Sequence, residues 1–109
     1  MVEKRSYPRI EAFHNVLYSM EIHPKPTIGL TVDLSMGGAK IESLQALRKN
    51  ERLKISIGIE SQVIRCRGKV VYVSGPENGK MKAGIRFEEL SKGDEVYLRQ
   101  YLSYVMQRV

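Results

Sequence analysis

Arg5 and Arg9, four positions apart, and the polar stretch Asp33-Leu-Ser35-Met-Gly-Gly38 carry the groups in this chain best suited to chemistry. A guanidinium fork grips a phosphate through paired charge-assisted hydrogen bonds, reads the O6/N7 edge of guanine, or stacks flat on a purine. Lysine serves only the first purpose, as a point charge, which ranks the neighbouring Lys4 behind the two arginines. The Asp-x-Ser-x-x-Gly stretch offers a carboxylate that accepts from base N–H groups, a hydroxyl, and backbone N–H groups bared where glycine lets a ligand come close. Together these groups suit a small, phosphate-rich guanine nucleotide.

Each half also has an ordinary reading. Met1 to Ile10 is polar, basic and interrupted by Pro8, so residues 1–10 read as a flexible basic arm, and such arms are common at chain ends. Asp33, Ser35 and the Gly37-Gly38 pair suit a plain hairpin turn, with glycine supplying positive φ. Only the two halves together favour a binding site.

The rest of the chain, 11–109, must position them. Phe13, Val16, Leu17, Tyr18, Met20 and Ile22 alternate imperfectly as a strand, ended by His23-Pro-Lys-Pro26. Thr27 to Leu34 and Ala39 to Ser43 read as two more strands flanking the turn. Gln45 to Glu51 is a polar connection with room for a short helical turn. Leu53, Ile55, Ile57 and Ile59 then alternate with Lys54, Ser56 and Gly58, giving one buried and one wetter face.

Val63 to Val73 is a long strand whose alternation stops at Val70-Val71-Tyr72-Val73, where both faces are apolar. A covering element is expected there, and the C-terminal helix is the available one. Gly75-Pro-Glu-Asn-Gly79 reads as a loop and Lys80 to Phe87 as the last strand. From Asp94, the residues Leu98, Tyr101, Leu102, Val105, Met106 and Val109 draw an apolar stripe down a helix, capped by Ser91 and with Asp94 in its first turn. Six strands and one helix predict an all-β fold, a six-stranded antiparallel barrel with a C-terminal α-helix.

Length and charge narrow the classes. The 109 residues, 42% of them hydrophobic, suffice for one modest core, and a net charge of +6 favours anionic partners without choosing among them. No apolar run approaches the ~20 residues of a membrane span. The lone Cys66 excludes an internal disulfide and no secretory leader is evident, so a cytoplasmic protein is expected. His14 and His23 are isolated, which argues against a metal site. Cys66 falls on an apolar strand face without a base, and no nucleophile–base pair suggests an enzyme.

The residue types and spacing of both halves resemble the PilZ domain family of bacterial cyclic di-GMP receptors, whose signature is Arg-x-x-x-Arg followed by [Asp/Asn]-x-Ser-x-x-Gly. The likeness continues through Gly68-Lys-Val-Val-Tyr-Val73, Gly84-Ile-Arg-Phe87 and Leu90-Ser-Lys-Gly-Asp94. The resemblance implies that the arm folds over bound cyclic di-GMP. Arg5 and Arg9 would hold its phosphates and guanines, with Lys4 a further phosphate contact. It assigns Asp33 and Ser35 to the guanine base and Gly38 to close backbone approach, and leaves Gly37 as a less certain contributor. It further implies a downstream protein partner in motility, pilus or polysaccharide machinery.

Two rival functions stay open: a small basic barrel for single-stranded nucleic acid, or an interaction module of the same fold without a nucleotide. An aromatic content of 7% without tryptophan disfavours the first, since base stacking needs aromatic platforms. The cations Arg48, Lys49, Arg52, Lys54, Arg65, Arg67 and Lys69 accordingly read as an outer barrel face. Arg86 is expected in solvent and Gly84 at a close strand contact.

Overall fold

A computed structural model describes residues 10–12, 14–22 and 25–107. Alternation becomes architecture most directly in β5 (Arg52–Ile59), where Leu53, Ile55, Ile57 and Ile59 are all buried and Arg52 and Lys54 point outward. The preceding strands are β1 (Ile10–Glu11), β2 (Asn15–Met20), β3 (Thr27–Leu34) and β4 (Gly38–Ser43). After β5 come β6 (Gln62–Glu77), β7 (Lys80–Leu90) and the helix α1 (Lys92–Gln107). Every pairing is antiparallel, and the order β3-β2-β5-β6-β7-β4 closes through a β3–β4 pairing into a six-stranded barrel. Closure pairs the barrel strands on both sides, while the end of β6 beyond Val70 runs on against β7 alone. The short β1 adds a seventh strand against the end of β3.

Between β1 and β2 the chain breaks its pairing, and Thr31 mends the gap. Its fully buried hydroxyl donates to the Ala12 carbonyl at 2.7 Å and accepts from the His14 N–H at 2.8 Å. Two backbone bonds, from Ala12 N to Val32 O and from Thr31 N to His14 O, finish the join. A threonine inside an apolar strand thus satisfies groups that would otherwise cost about 1–3 kcal/mol each when buried unpaired.

The apolar run at Val70 has a different cause from the one its composition suggests. Val70 lies opposite Ile85 and Tyr72 opposite Gly84, so β6 gains one residue on β7 there. Such a bulge resets which face each residue takes. Val73 turns back to the core, while Tyr72 lies outside with its ring over Gly84, the close strand contact expected of that glycine. The helix covers another region: Tyr97 donates to the Ile59 carbonyl at 2.8 Å, and Asp94 accepts from the Arg65 N–H at 3.0 Å. Leu98 and Leu102 enter the core from that end, each contributing about 2 kcal/mol by burial.

Two connections also differ from expectation. Gln45 to Glu51 holds no helix: Leu47 is buried, and Arg48 and Glu51 close a turn around Asn50, whose φ is 76°. The Gly75–Gly79 segment is mostly strand. Glu77 pairs with Lys80 around a two-residue Asn78-Gly79 turn, and the glycine and proline before it fall at a second bulge. No helix here is long and apolar enough to cross a membrane.

Candidate functional site

The Asp33–Gly38 turn sits where three strands meet. Its first residues end β3, its last begins β4, and Gly38 lies opposite Arg86 on β7. Ser35, 3% exposed, organises it from inside: its Oγ accepts from the N–H groups of Gly37 and Gly38, each at 3.2 Å, and donates to the Gly38 carbonyl at 3.3 Å. The Ser35 N–H also reaches that carbonyl, at 2.9 Å. A hydroxyl donates once and accepts twice, so this one is fully used. A ligand acceptor that reaches Ser35 must replace its longest bond, the one to the Gly38 carbonyl.

Gly38 has no room for a side chain, since a Cβ there would overlap the carbonyl oxygen of Ile85. The close approach that demands glycine is therefore to β7. Gly37 contributes its carbonyl, which accepts from the Phe87 N–H at 2.9 Å. Positive φ among the described glycines belongs to Gly75 and Gly79, not to this pair. The turn is thus clamped to a third strand from both of its glycines.

Asp33 is half-buried, and its Oδ1 accepts from the Lys40 N–H at 3.1 Å. Glu11 on β1 stands directly opposite it. Lys40 on β4 stands opposite Asp33 on its other side, so the row Glu11–Asp33–Lys40 sets two carboxylates beside one cation. Arg86 is exposed, as expected, and pairs with Glu88 at 3.5 Å.

β1 also fixes where the leader meets the barrel. Ile10 pairs with Leu34, next to Ser35, and Arg9 is bonded to Ile10. Arg9 itself, Arg5 and Lys4 lie outside the described residues, as do Phe13 and His23. Asp33, Ser35, Gly37 and Gly38 are brought together.

Residues 3–104 match the family model of the PilZ domain. The chain belongs to that family. The matched stretch takes in Lys4, Arg5 and Arg9 as well as the turn. Among curated proteins none matches. Solved PilZ structures share the fold: the inhibitor of motility MotI/DgrA of Bacillus subtilis superimposes with a TM-score of 0.85 at 21% identity, covering 98% of this chain and 53% of that one. YcgR of Escherichia coli in complex with c-di-GMP gives 0.80 at 19% identity, over 98% of this chain and 48% of that one. The PilZ domain of YcgR alone, also with c-di-GMP, gives 0.78 at 17% identity, over 97% and 94%. This chain therefore spans about half the length of MotI/DgrA and of the longer YcgR.

Other groups of this PilZ barrel serve the fold. The His14 ring meets Tyr101 edge-on, its Nε2 at 3.0 Å from the phenol oxygen, and burial lowers its pKa. Burial also pushes the Cys66 thiol up to about 12, which keeps it protonated and poorly nucleophilic near neutral pH. Among the described residues no three His, Cys, Asp or Glu side chains gather as a metal site. Two contacts of the turn, with the Ile85 carbonyl and the Phe87 N–H, escaped the sequence reading, as did the Thr31 link between β1 and β2. The first two are backbone groups, which residue type does not reveal.

Proposed function

We propose that this PilZ protein is a non-catalytic receptor for cyclic di-GMP that folds its leader over the nucleotide and signals through a changed protein-binding surface. The observation that carries the reading is the pairing of Ile10 with Leu34 and Glu11 with Asp33, which roots the leader beside the signature turn. Family membership and the nucleotide in the YcgR structures support the same ligand.

The electrostatics give the arginines a specific task. An anionic dinucleotide meets two carboxylates, Glu11 and Asp33, beside the single cation Lys40 in this row, so further cations favour its binding. Arg5 and Arg9 supply them, holding phosphate and guanine faces while Asp33 accepts from a base N–H. Lys4 adds a phosphate contact. Ser35 and Gly38 keep the turn in shape for that contact, and Gly37 anchors it to β7.

Ordering the leader costs about 1–2 kcal/mol per residue, against about 1.5–3 kcal/mol for each charge-assisted bond the arginines gain. Pro8, with φ already fixed, trims that cost. The balance is close, so one arginine decides it. Isothermal titration of Arg9→Ala with cyclic di-GMP is expected to show at least a ~100-fold loss of affinity, corresponding to about 2.7 kcal/mol or more. Unchanged affinity overturns the reading.

A further inference from the structure

The wall formed by β2, β5 and β6 lies across the barrel from β4 and shares no residue with the signature turn. Its outward side chains fall into rows set by strand register. One row runs Ile28, Leu17, Ser56, Arg65; the next runs Ser19, Lys54, Arg67, Glu89. Between them is a groove of about 400 Å³. Leu17, 44% exposed, lines it, and Ile28, 75% exposed, stands beside Leu17 at its margin, which together make an apolar strip. Lys54, Arg65 and Arg67 line the groove against one carboxylate, Glu89.

Arg67 is shared between Glu21 and Glu89, both at 3.6 Å. Neither Lys54 nor Arg65 makes an ion pair among the described residues. Asp94 approaches Arg65 only through the backbone N–H. Side chains that pair aliphatic surface with uncompensated positive charge complement an occupant of leucines and carboxylates. On this wall β2 and β5 are each paired on both sides, so recognition here is by side chains, as when an amphipathic helix lies in a groove. The chain's own leader is excluded by sign, because Lys4, Arg5 and Arg9 outnumber Glu3. Nucleic acid fits less well, because Leu17 and Ile28 give bases nothing to stack on.

We infer that the β2–β5–β6 wall docks an acidic amphipathic helix of a partner protein, inserting aliphatic side chains beside Leu17 and carboxylates between Lys54 and Arg65. This deepens the receptor reading, on which it rests for the purpose of the contact, by naming the partner's chemistry and a face separate from the nucleotide.

The test titrates isotope-labelled full-length protein, with and without cyclic di-GMP, with a synthetic helical peptide bearing leucines on one face and glutamates along its flanks. Amide shift changes are expected to concentrate on Leu17, Ser19, Lys54, Ser56 and Arg65. Affinity should fall about tenfold or more in the double variant K54E/R65E, as like charges replace opposite ones. Leu17→Ser should weaken it several-fold, on the order of the loss of one half-exposed aliphatic contact.

Absence of peptide binding, shifts centred elsewhere, equal binding of the lysine-substituted peptide, or tighter binding of oligothymidylate to this face each overturn the inference. Cyclic di-GMP titrated into wild type and K54E/R65E separates the two readings. If wild type binds the nucleotide but not the peptide, only the docking face falls; if wild type binds the peptide but not the nucleotide, only the receptor reading falls. K54E/R65E is expected to keep the nucleotide while losing the peptide.

Discussion

Two hairpin connections in this barrel both rely on glycine, and they are built on opposite principles. The β6–β7 turn, Asn78-Gly79, is a local device. Both residues take positive φ, 54° and 78°, the twist that suits a two-residue hairpin, and a Cβ on Gly79 would meet nothing within 4 Å. The β3–β4 turn, Ser35 to Gly38, is defined by its surroundings: a buried hydroxyl bonded to two of its N–H groups, a carbonyl held by Phe87, and a glycine pressed on Ile85. The first turn needs a conformation, the second needs space and partners. A connector can be local, whereas the turn that follows Asp33, beside β1, is tied to a third strand.

The sharpest way to break this contrast is to give Gly38 a side chain. In Gly38→Ala the new methyl meets β-sheet backbone, which cannot turn aside as a flexible side chain would, so β4 must move from β7. Chemical denaturation is expected to show a loss of about 3 kcal/mol or more, the upper end for overpacking. A loss below that expected for Gly79 would remove the distinction between the two turns. Next in size is Ser35→Ala, which leaves two N–H groups without their acceptor while adding no bulk. The expected cost is about 2 kcal/mol, read in the same denaturation series.

These two residues also mark how far sequence patterns reach. Strands β3, β4 and β5 were legible because residues alternate and the signature turn punctuates them. The helix was legible from its stripe and from Ser91, whose Oγ accepts from the Asp94 N–H at 3.1 Å. The signature named the turn, yet the plain hairpin reading of Gly37-Gly38 suggested positive φ, and the structure gives strand contact instead. That reason lies on β7, remote in sequence, where no local pattern records it. The same holds at Val70–Val73, where a bulge mimics a face needing cover, and at Gly75-Pro76, where breaker residues lie inside strands because a bulge accommodates them. Leader roles for Arg5 and Arg9 rest on residue type and family likeness, since both lie outside the described residues.

The mildest substitution tests the local half of the contrast. Gly79→Ala meets no atom, so its whole cost is conformational: an L-residue held at φ 78° is disfavoured by about 1–2 kcal/mol, offset in part because alanine restricts the unfolded chain more than glycine does. A net loss of about 1 kcal/mol is expected. Its affinity for cyclic di-GMP should equal that of wild type, because the β6–β7 tip lies at the end of the barrel away from Ser35. Gly79→Asn sharpens the point, since asparagine tolerates left-handed backbone better than alanine and should recover part of the loss. Recovery by asparagine means that backbone conformation sets the requirement at this position. If alanine and asparagine are equally costly, something other than φ constrains Gly79, and the turn is not the purely local device that its open surroundings indicate.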